Sequence, residues 1–269
     1  MLSSAPPSRI EHTFTRLHDE RRGGLVTYVT AGDPNADTSA KILVALARAG
    51  ADILEVGVPF SDPLADGPVI QRATERALAA GMTLRGTLDV VRIVRRSVET
   101  PIVLFTYANP VVRMDPAVFA REAKDAGVDG VLILDYPVEE AGPLRASLLD
   151  AGLDPIFLIS PTTTDDRIRR SGELGRGFLY LISRLGVTGV RDNLADDVSG
   201  LVGRVRAQSR LPVALGFGIS SPEHVAQACA CADAAVVGSA LVRVIAEHGT
   251  APDVAERAGE YVRWLKSAV

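Results

Sequence analysis

Short apolar runs alternate with amphipathic stretches along nearly the whole chain. Eight runs predict strands: Leu25–Ala31, Ile53–Val58, Pro101–Tyr107, Gly130–Asp135, Pro155–Ser160, Gly177–Ser183, Pro212–Phe217 and Ala234–Gly238. Each is followed by a stretch with helical periodicity, the first around Ala36–Ala49. The strand-like runs are apolar nearly throughout, as expected of parallel strands covered on both faces. About eight βα units predict a (β/α)8 TIM barrel.

Two further patterns refine this architecture. Ile10, Phe14 and Leu17 at helical spacing predict an extra N-terminal helix that plugs the lower end of the barrel. The rival fold, an open doubly wound sheet, usually carries G-x-G-x-x-G after its first strand, whereas this chain has Thr30-Ala-Gly-Asp-Pro34. Because no linker or break in composition divides the chain, we predict a single TIM-barrel domain over residues 1–269.

A similar four-residue motif occurs at three of the predicted connections from helix to strand. Ala49-Gly-Ala-Asp52, Ala126-Gly-Val-Asp129 and Ala151-Gly-Leu-Asp154 each lie between a helical stretch and a strand. Glycine suits the left-handed position that follows a helix C-terminus. We interpret these segments as structural turns on the lower face of the barrel.

Composition and charge restrict the kinds of molecule that this chain is expected to bind. The chain has 269 residues, 47% of them hydrophobic, and a net charge of -4, so no basic surface for nucleic acid or anionic lipid is expected. The N-terminus lacks the pattern of a signal peptide and no apolar run approaches membrane-spanning length, which predicts a cytoplasmic protein. We expect a small-molecule or protein partner. Cys229 and Cys231 are two residues apart in a predicted helix, which favours packing over a disulfide.

Candidate chemistry lies at the C-terminal ends of the strands, where barrel enzymes place their reacting groups. Glu55 stands inside the apolar run Ile53–Val58, where a carboxylate is costly unless it is paired or functional. Burial there would raise its pKa toward the range useful in acid–base catalysis. The alternative is a buried carboxylate satisfied by a neighbouring donor. Asp62 and Asp66 follow in the loop, and spacing alone does not separate a functional Asp66 from a solvated one.

Three glycine-containing segments predict a phosphate site. They follow the sixth, seventh and eighth strands: Leu185-Gly-Val-Thr-Gly189, Gly216-Phe-Gly-Ile-Ser220 and Gly238-Ser239. Barrels commonly hold a phosphate in this region with backbone N–H groups and a helix N-terminus. Ordinary turn geometry is the alternative for each glycine alone.

Residues that are missing from the strand ends also restrict the reaction. The lysines Lys41, Lys124 and Lys266 and the histidines His12, His18, His224 and His248 all fall in predicted helices. A Schiff-base aldolase and a zinc aldolase are therefore disfavoured, and we expect no metal site. Carboxylate-driven proton transfer on a phosphorylated substrate remains. Tyr107 and Tyr180 lie near strand ends, where a tyrosine supplies either a site hydroxyl or packing.

A long segment in this region resembles the signature of the tryptophan synthase alpha chain family. It reads Leu54-Glu-Val-Gly-Val-Pro-Phe-Ser-Asp-Pro-Leu-Ala-Asp-Gly67. The likeness continues through Tyr28-Val-Thr-Ala-Gly-Asp-Pro34, Tyr107-Ala-Asn109, Asp135-Tyr-Pro137, Tyr180–Gly189, Gly216–Ser220 and Gly238-Ser239. It covers nearly the whole chain, with Tyr136 and Thr27 as its departures from the family pattern.

The resemblance implies retro-aldol cleavage of indole-3-glycerol phosphate to indole and glyceraldehyde 3-phosphate. Glu55 matches the family's general acid–base residue, and Asp66 matches the carboxylate that stabilises the indole N–H. The remaining matches are substrate positions at Tyr180, Tyr107, Phe217 and Thr188, and phosphate contacts at Gly189, Gly218, Gly238 and Ser239.

The resemblance also implies a partner, the beta subunit of an alpha2-beta2 tetramer. Pyridoxal phosphate would belong to that subunit, with no cofactor on this chain, and Asp62, Asn109 and Asp135 would lie toward the interface. Two alternatives stay open: a stand-alone lyase that releases free indole, and a non-catalytic regulatory subunit that only binds the phosphate ligand. Turnover of indole-3-glycerol phosphate by the isolated chain, with and without a beta subunit, separates the three.

Overall fold

Eight parallel strands form a closed barrel in the computed structural model, which describes residues 7–182, 194–216, 218–249 and 251–269. Each strand pairs with the next, and β1 also pairs with β8 to complete the barrel. The strands are β1 Gly24–Thr30, β2 Ile53–Gly57, β3 Ile102–Thr106, β4 Gly130–Ile133, β5 Asp154–Ile159, β6 Leu179–Ile182, β7 Val213–Gly216 and β8 Ala234–Val237. The predicted fold is confirmed, and the predicted strands are correct to within about two residues, as expected where strands pass into turns.

Twelve helices accompany these strands in the described part of the chain. They are α1 Arg9–Asp19, α2 Ala36–Arg48, α3 Pro68–Ala79, α4 Leu84–Arg95, α5 Ala108–Met114, α6 Pro116–Ala126, α7 Gly142–Asp150, α8 Asp165–Leu174, α9 Leu194–Gln208, α10 Pro222–Cys231, α11 Ser239–His248 and α12 Val254–Lys266. None of the helices in the described ranges is long and apolar enough to cross a membrane. Two helices follow β2, β3 and β8, and the short α5 follows directly on the end of β3.

The predicted N-terminal helix is confirmed as the plug of the barrel. Ser8 caps α1 by accepting the backbone N–H of Glu11, whose side chain accepts that of Ser8 in return. The buried face of α1 consists of Ile10, Phe14 and Leu17, which pack into the cluster of inward-facing strand residues. The barrel is therefore closed at its lower end, and a ligand must enter from the opposite end.

The turns on the lower face are structural, as predicted. Gly50, Gly127 and Gly152 have φ values of +102°, +97° and +73°, the left-handed conformation that other residues rarely adopt. The aspartates that follow are buried and hold neighbouring backbone and basic groups. Asp52, for example, accepts the N–H of Leu25 at 2.9 Å. These carboxylates are satisfied by their neighbours, so the lower face offers no reactive acid among them.

Candidate active site

Glu55 lies in the middle of β2 and is completely buried. Neither carboxyl oxygen has a hydrogen-bond partner in the described residues, so the alternative of a satisfied carboxylate is not supported. Burial raises the pKa of Glu55 to about 8, because the charged form is poorly solvated there. At neutral pH this side chain is therefore mostly protonated and able to donate a proton.

Aromatic rings surround Glu55 on the inner face of the barrel. Tyr28 pairs in register with Glu55 on the neighbouring strand, and the ring of Phe105 lies 5.2 Å from Tyr28 and 6.1 Å from Tyr180. Burial is the main reason that the pKa of Tyr180 is raised, and the charge of Glu55 adds to it. Gly57 makes this arrangement possible, because a Cβ atom there would lie 2.2 Å from the Tyr28 hydroxyl oxygen.

Asp66 lies in the loop between β2 and α3, where two contacts hold it. The Tyr107 hydroxyl donates to Asp66 Oδ2 at 3.1 Å and also accepts the N–H of Ala65 at 3.0 Å. Gln71 Nε2, one turn into α3, donates to the backbone oxygen of Asp66 at 2.9 Å. Burial raises the pKa of Asp66 to about 6, and the hydrogen bond from Tyr107 opposes that rise. At neutral pH Asp66 is thus mostly ionised, whereas Glu55 is mostly protonated.

A cavity of about 870 Å³ opens on this end of the barrel. One side is aromatic and apolar, with Tyr28, Phe105, Tyr180, Val69 and Ile70 among its lining residues. The glycine and serine residues of the lining, among them Gly218, Gly238 and Ser239, form its polar side, and Gly238 lies next to the Tyr28 ring. Ser239 is the first residue of α11, and no side chain caps that helix N-terminus. A helix N-terminus facing a cavity provides N–H groups for an anion.

Some of the predicted site residues line the cavity, and others lie next to it or outside the described part of the chain. Tyr180, Gly218, Gly238 and Ser239 line the cavity, Glu55 lies beside its aromatic wall, and Tyr107 holds Asp66. Thr188, Gly189 and Phe217 lie outside the described residues, so their roles stay predictions.

Sequence reasoning did not single out four residues of this site as contributors: Tyr28, Phe105, Val69 and Ile70. An aromatic residue in a buried strand has the same appearance in sequence whether it faces the cavity or the helices. Alternation along β1 was the available signal, since Val26 and Tyr28 face inward whereas Leu25 and Val29 pack outward.

The predicted interface residues lie around the open end of the barrel. Asp62 and Asn109 are exposed, the first in the loop before Asp66 and the second in α5. Asp135 is also exposed, and its Oδ1 accepts the N–H of Ala108 at 2.7 Å at the start of α5. Whether these residues contact a partner stays a prediction.

The lysine and histidine side chains lie in helices, as predicted. All three lysines and all four histidines lie in helices: Lys41, Lys124, Lys266, His12, His18, His224 and His248. Across the described ranges, no group of three or more His, Cys, Asp or Glu residues is arranged to hold a metal ion. Cys229 and Cys231, both in α10, are half-buried free thiols.

The two departures from the family pattern do not line the cavity. Tyr136 is half-buried against residues of α7, on the outer side of the strands. Thr27 is fully buried on β1, and its hydroxyl has no hydrogen-bond partner among the described residues. Neither side chain alters the walls around Glu55.

Known proteins of one family match this chain over almost its whole length, in both sequence and structure. The family model described as tryptophan synthase alpha chain matches residues 14–269. The tryptophan synthase alpha chain of Burkholderia thailandensis is 47% identical over 263 residues, which cover 97% of each chain. The crystal structure of tryptophan synthase subunit alpha from Legionella pneumophila aligns with a TM-score of 0.90 at 37% identity, covering 97% of this chain and 98% of that one. A Mycobacterium tuberculosis tryptophan synthase structure aligns with a TM-score of 0.89 at 38% identity, covering 98% of both chains. With matches of this extent in both sequence and structure, the chain belongs to the tryptophan synthase alpha chain family.

Proposed function

We propose that this site cleaves indole-3-glycerol phosphate to indole and glyceraldehyde 3-phosphate, the alpha reaction of tryptophan biosynthesis, with Glu55 and Asp66 as its catalytic residues. Family membership supports the reaction. The observation that carries the assignment of Glu55 is its burial beside an aromatic cavity without any hydrogen-bond partner in the described residues. A buried polar group left unsatisfied is costly, and such a cost is typical of a group used in function.

The first step of the proposed reaction is proton transfer to the indole ring. Glu55, protonated because burial raises its pKa to about 8, donates its proton to C3 of the indole. The ring nitrogen becomes cationic, and the carboxylate of Asp66 accepts the hydrogen bond of the N–H and stabilises that charge. The pKa of Asp66, about 6, suits this role, because Asp66 is ionised at a pH where Glu55 still holds its proton.

The second step breaks the carbon–carbon bond. Glu55, now a carboxylate, takes the proton from the hydroxyl on the side-chain carbon attached to C3. The oxygen electrons form the aldehyde C=O, and the electrons of the broken bond return to the ring and neutralise its nitrogen. Indole and glyceraldehyde 3-phosphate leave, and Glu55 is again protonated for the next cycle.

The cavity has one side suited to each half of the substrate. Tyr28, Phe105 and Tyr180 offer apolar and aromatic surface for the indole ring. The uncapped N-terminus of α11, at Gly238 and Ser239, offers N–H groups for the phosphate, with Gly218 on the adjacent turn. We propose that Thr188, Gly189 and Phe217 complete these two ends.

We further propose that the chain works with a beta subunit in an alpha2-beta2 tetramer, where pyridoxal phosphate is bound by the beta subunit. Exposed apolar side chains at the open end of the barrel support this. Leu64, two residues before Asp66, is 93% exposed, and Val112 of α5 is 57% exposed. A partner that covered the open end of the barrel would remove these two side chains from water. A partner there would bear directly on the loop that carries Asp66, together with Asp62 and Asn109.

Because the phosphorylated substrate does not cross membranes freely, we propose a cytoplasmic location.

The test of the whole proposal is indole formation from indole-3-glycerol phosphate by the purified chain, alone and with a beta subunit. We expect slow turnover alone and faster turnover with the partner. Fast turnover alone would favour the stand-alone lyase, and no turnover in either case would favour the non-catalytic regulatory subunit. Leu64→Asp should reduce the stimulation by the partner while leaving the basal rate within about twofold.

A further inference from the structure

The turn after β7 is held on its outer side by two helices. The hydroxyl of Tyr261, in α12, donates to the backbone oxygen of Ser220 at 2.9 Å. The N–H of Ser220 points toward Nδ1 of His224, in α10, at 3.4 Å. Both backbone polar groups of Ser220 are therefore engaged by helices that pack outside the barrel.

This turn needs such support because of its first residue. Gly218 has a φ of +58°, in the left-handed region, and glycine also reaches many other conformations at little cost. Gly218 and Ser220 both line the cavity, on the side that also contains Gly238 and Ser239. A change in the backbone at Ser220 would therefore alter the cavity wall at its polar side.

Tyr261 is well placed to hold the turn rigidly. Its ring is half-buried against the outer core of the barrel and contacts the ring of Trp264 at 5.6 Å. The hydrogen bond joins residues 41 positions apart in the sequence, so the last helix of the chain reaches the cavity wall through this hydroxyl.

We propose that Tyr261 is a positioning residue for the phosphate of the substrate, acting through the backbone of the turn Gly218–Ser220. This inference rests on the proposed function, because it takes the polar side of the cavity as the phosphate end. Tyr261 does not itself line the cavity. Loss of its hydroxyl releases the carbonyl of Ser220 and lets the turn move away from the orientation that binds phosphate. The bond that breaks joins the indole ring to the side chain, beside Glu55 and away from the phosphate, so the chemical step is spared.

The test compares Tyr261→Phe with Tyr136→Phe as the matched control, since each loses one tyrosine hydroxyl and Tyr136 lies outside the cavity. Binding of glycerol 3-phosphate and of indole is measured separately by calorimetry. Steady-state kinetics with indole-3-glycerol phosphate are then measured in the presence of a beta subunit. Tyr261→Phe should weaken glycerol 3-phosphate binding and raise KM by about three- to tenfold, the size expected for one hydrogen bond. Indole binding and kcat should stay within about twofold, and Tyr136→Phe should match the unmodified chain.

A purely structural role would give a different pattern. Equal weakening of both ligands, a fall in kcat without a rise in KM, or unchanged phosphate binding would each overturn the role of Tyr261. The calorimetry does not depend on turnover, so it separates this inference from the proposed function. An unmodified chain that binds glycerol 3-phosphate but never forms indole would contradict the reaction, whereas selective loss of that binding in Tyr261→Phe would still support the positioning role.

Discussion

The substitution Glu55→Gln tests whether the barrel interior holds a protonated carboxyl group. Glutamine keeps the size and shape of protonated glutamate but has no charge to lose. Between pH 4.5 and about 8, the folded chain keeps a proton on Glu55 that the unfolded chain releases. Stability therefore falls as the pH rises through this window, by about 1.4 kcal/mol per pH unit at most. From pH 5 to pH 7.5 the loss due to Glu55 is about 3 kcal/mol.

The assay is urea unfolding at pH 5 and pH 7.5, with the two proteins compared at each pH. Asp66 also has a raised pKa, but it is present in both proteins and its effect cancels in the difference. Glu55→Gln should be close to the unmodified chain at pH 5 and more stable by about 3 kcal/mol at pH 7.5. Glu260→Gln, at an exposed position in α12, is the control and should leave the difference between the two pH values unchanged. A Glu55→Gln protein that is equally stable or less stable at pH 7.5 would refute the claim that the carboxyl group is buried and unpaired.

Three further substitutions test two contacts of the site and one buried hydroxyl outside it. Tyr107→Phe removes the hydroxyl that donates to Asp66. Since that bond lowers the pKa of Asp66, the acidic limb of the pH profile of kcat/KM should move to higher pH, and the rate near neutrality should fall roughly twofold. Gly57→Ala places a methyl group 2.2 Å from the Tyr28 hydroxyl oxygen and should lower kcat/KM about tenfold or more in steady-state assays, because the ring must move. Thr27→Val removes a buried hydroxyl without a hydrogen-bond partner among the described residues and should stabilise the chain by about 1 kcal/mol in urea unfolding, with unchanged activity.

Controls for the first two of these substitutions come from the same chain. Tyr136→Phe alters a tyrosine outside the cavity and should leave the pH profile as it is. Gly142→Ala adds a methyl group where nothing lies within 4 Å and should leave kcat/KM unchanged. An unshifted acidic limb in Tyr107→Phe or normal activity in Gly57→Ala would count against the contact concerned. A less stable Thr27→Val would show that the Thr27 hydroxyl is not unpaired.

The barrel was predictable because its signals are local. Each strand is an apolar run bounded by turns, and Gly50, Gly127 and Gly152 mark three helix ends through a conformation that favours glycine. Glu55 was also recognisable, since a carboxylate inside an apolar strand is costly wherever the strand lies in the barrel. These inferences needed no knowledge of which elements meet in space.

The rest of the site depends on contacts between distant segments. Asp66 could not be separated from a solvated loop residue by spacing, because its restraint comes from Tyr107, 41 residues further along the chain. Tyr28 and Phe105 were missed because register, and not residue type, turns their rings toward the cavity. The family resemblance implies the role proposed for Asp66, and the contacts from Tyr107 and Gln71 define where this residue lies.

The central claim is that Glu55 carries the proton transfers, and single-turnover indole release measures it most directly. Glu55→Gln and the unmodified chain are each mixed, together with a beta subunit, with a smaller amount of indole-3-glycerol phosphate. The second substrate of the beta subunit is left out, and the indole formed is followed over time. The loss of an acid–base group predicts a rate at least about 100-fold slower in Glu55→Gln, with binding of glycerol 3-phosphate within twofold. Indole release by Glu55→Gln at the rate of the unmodified chain would contradict the mechanism.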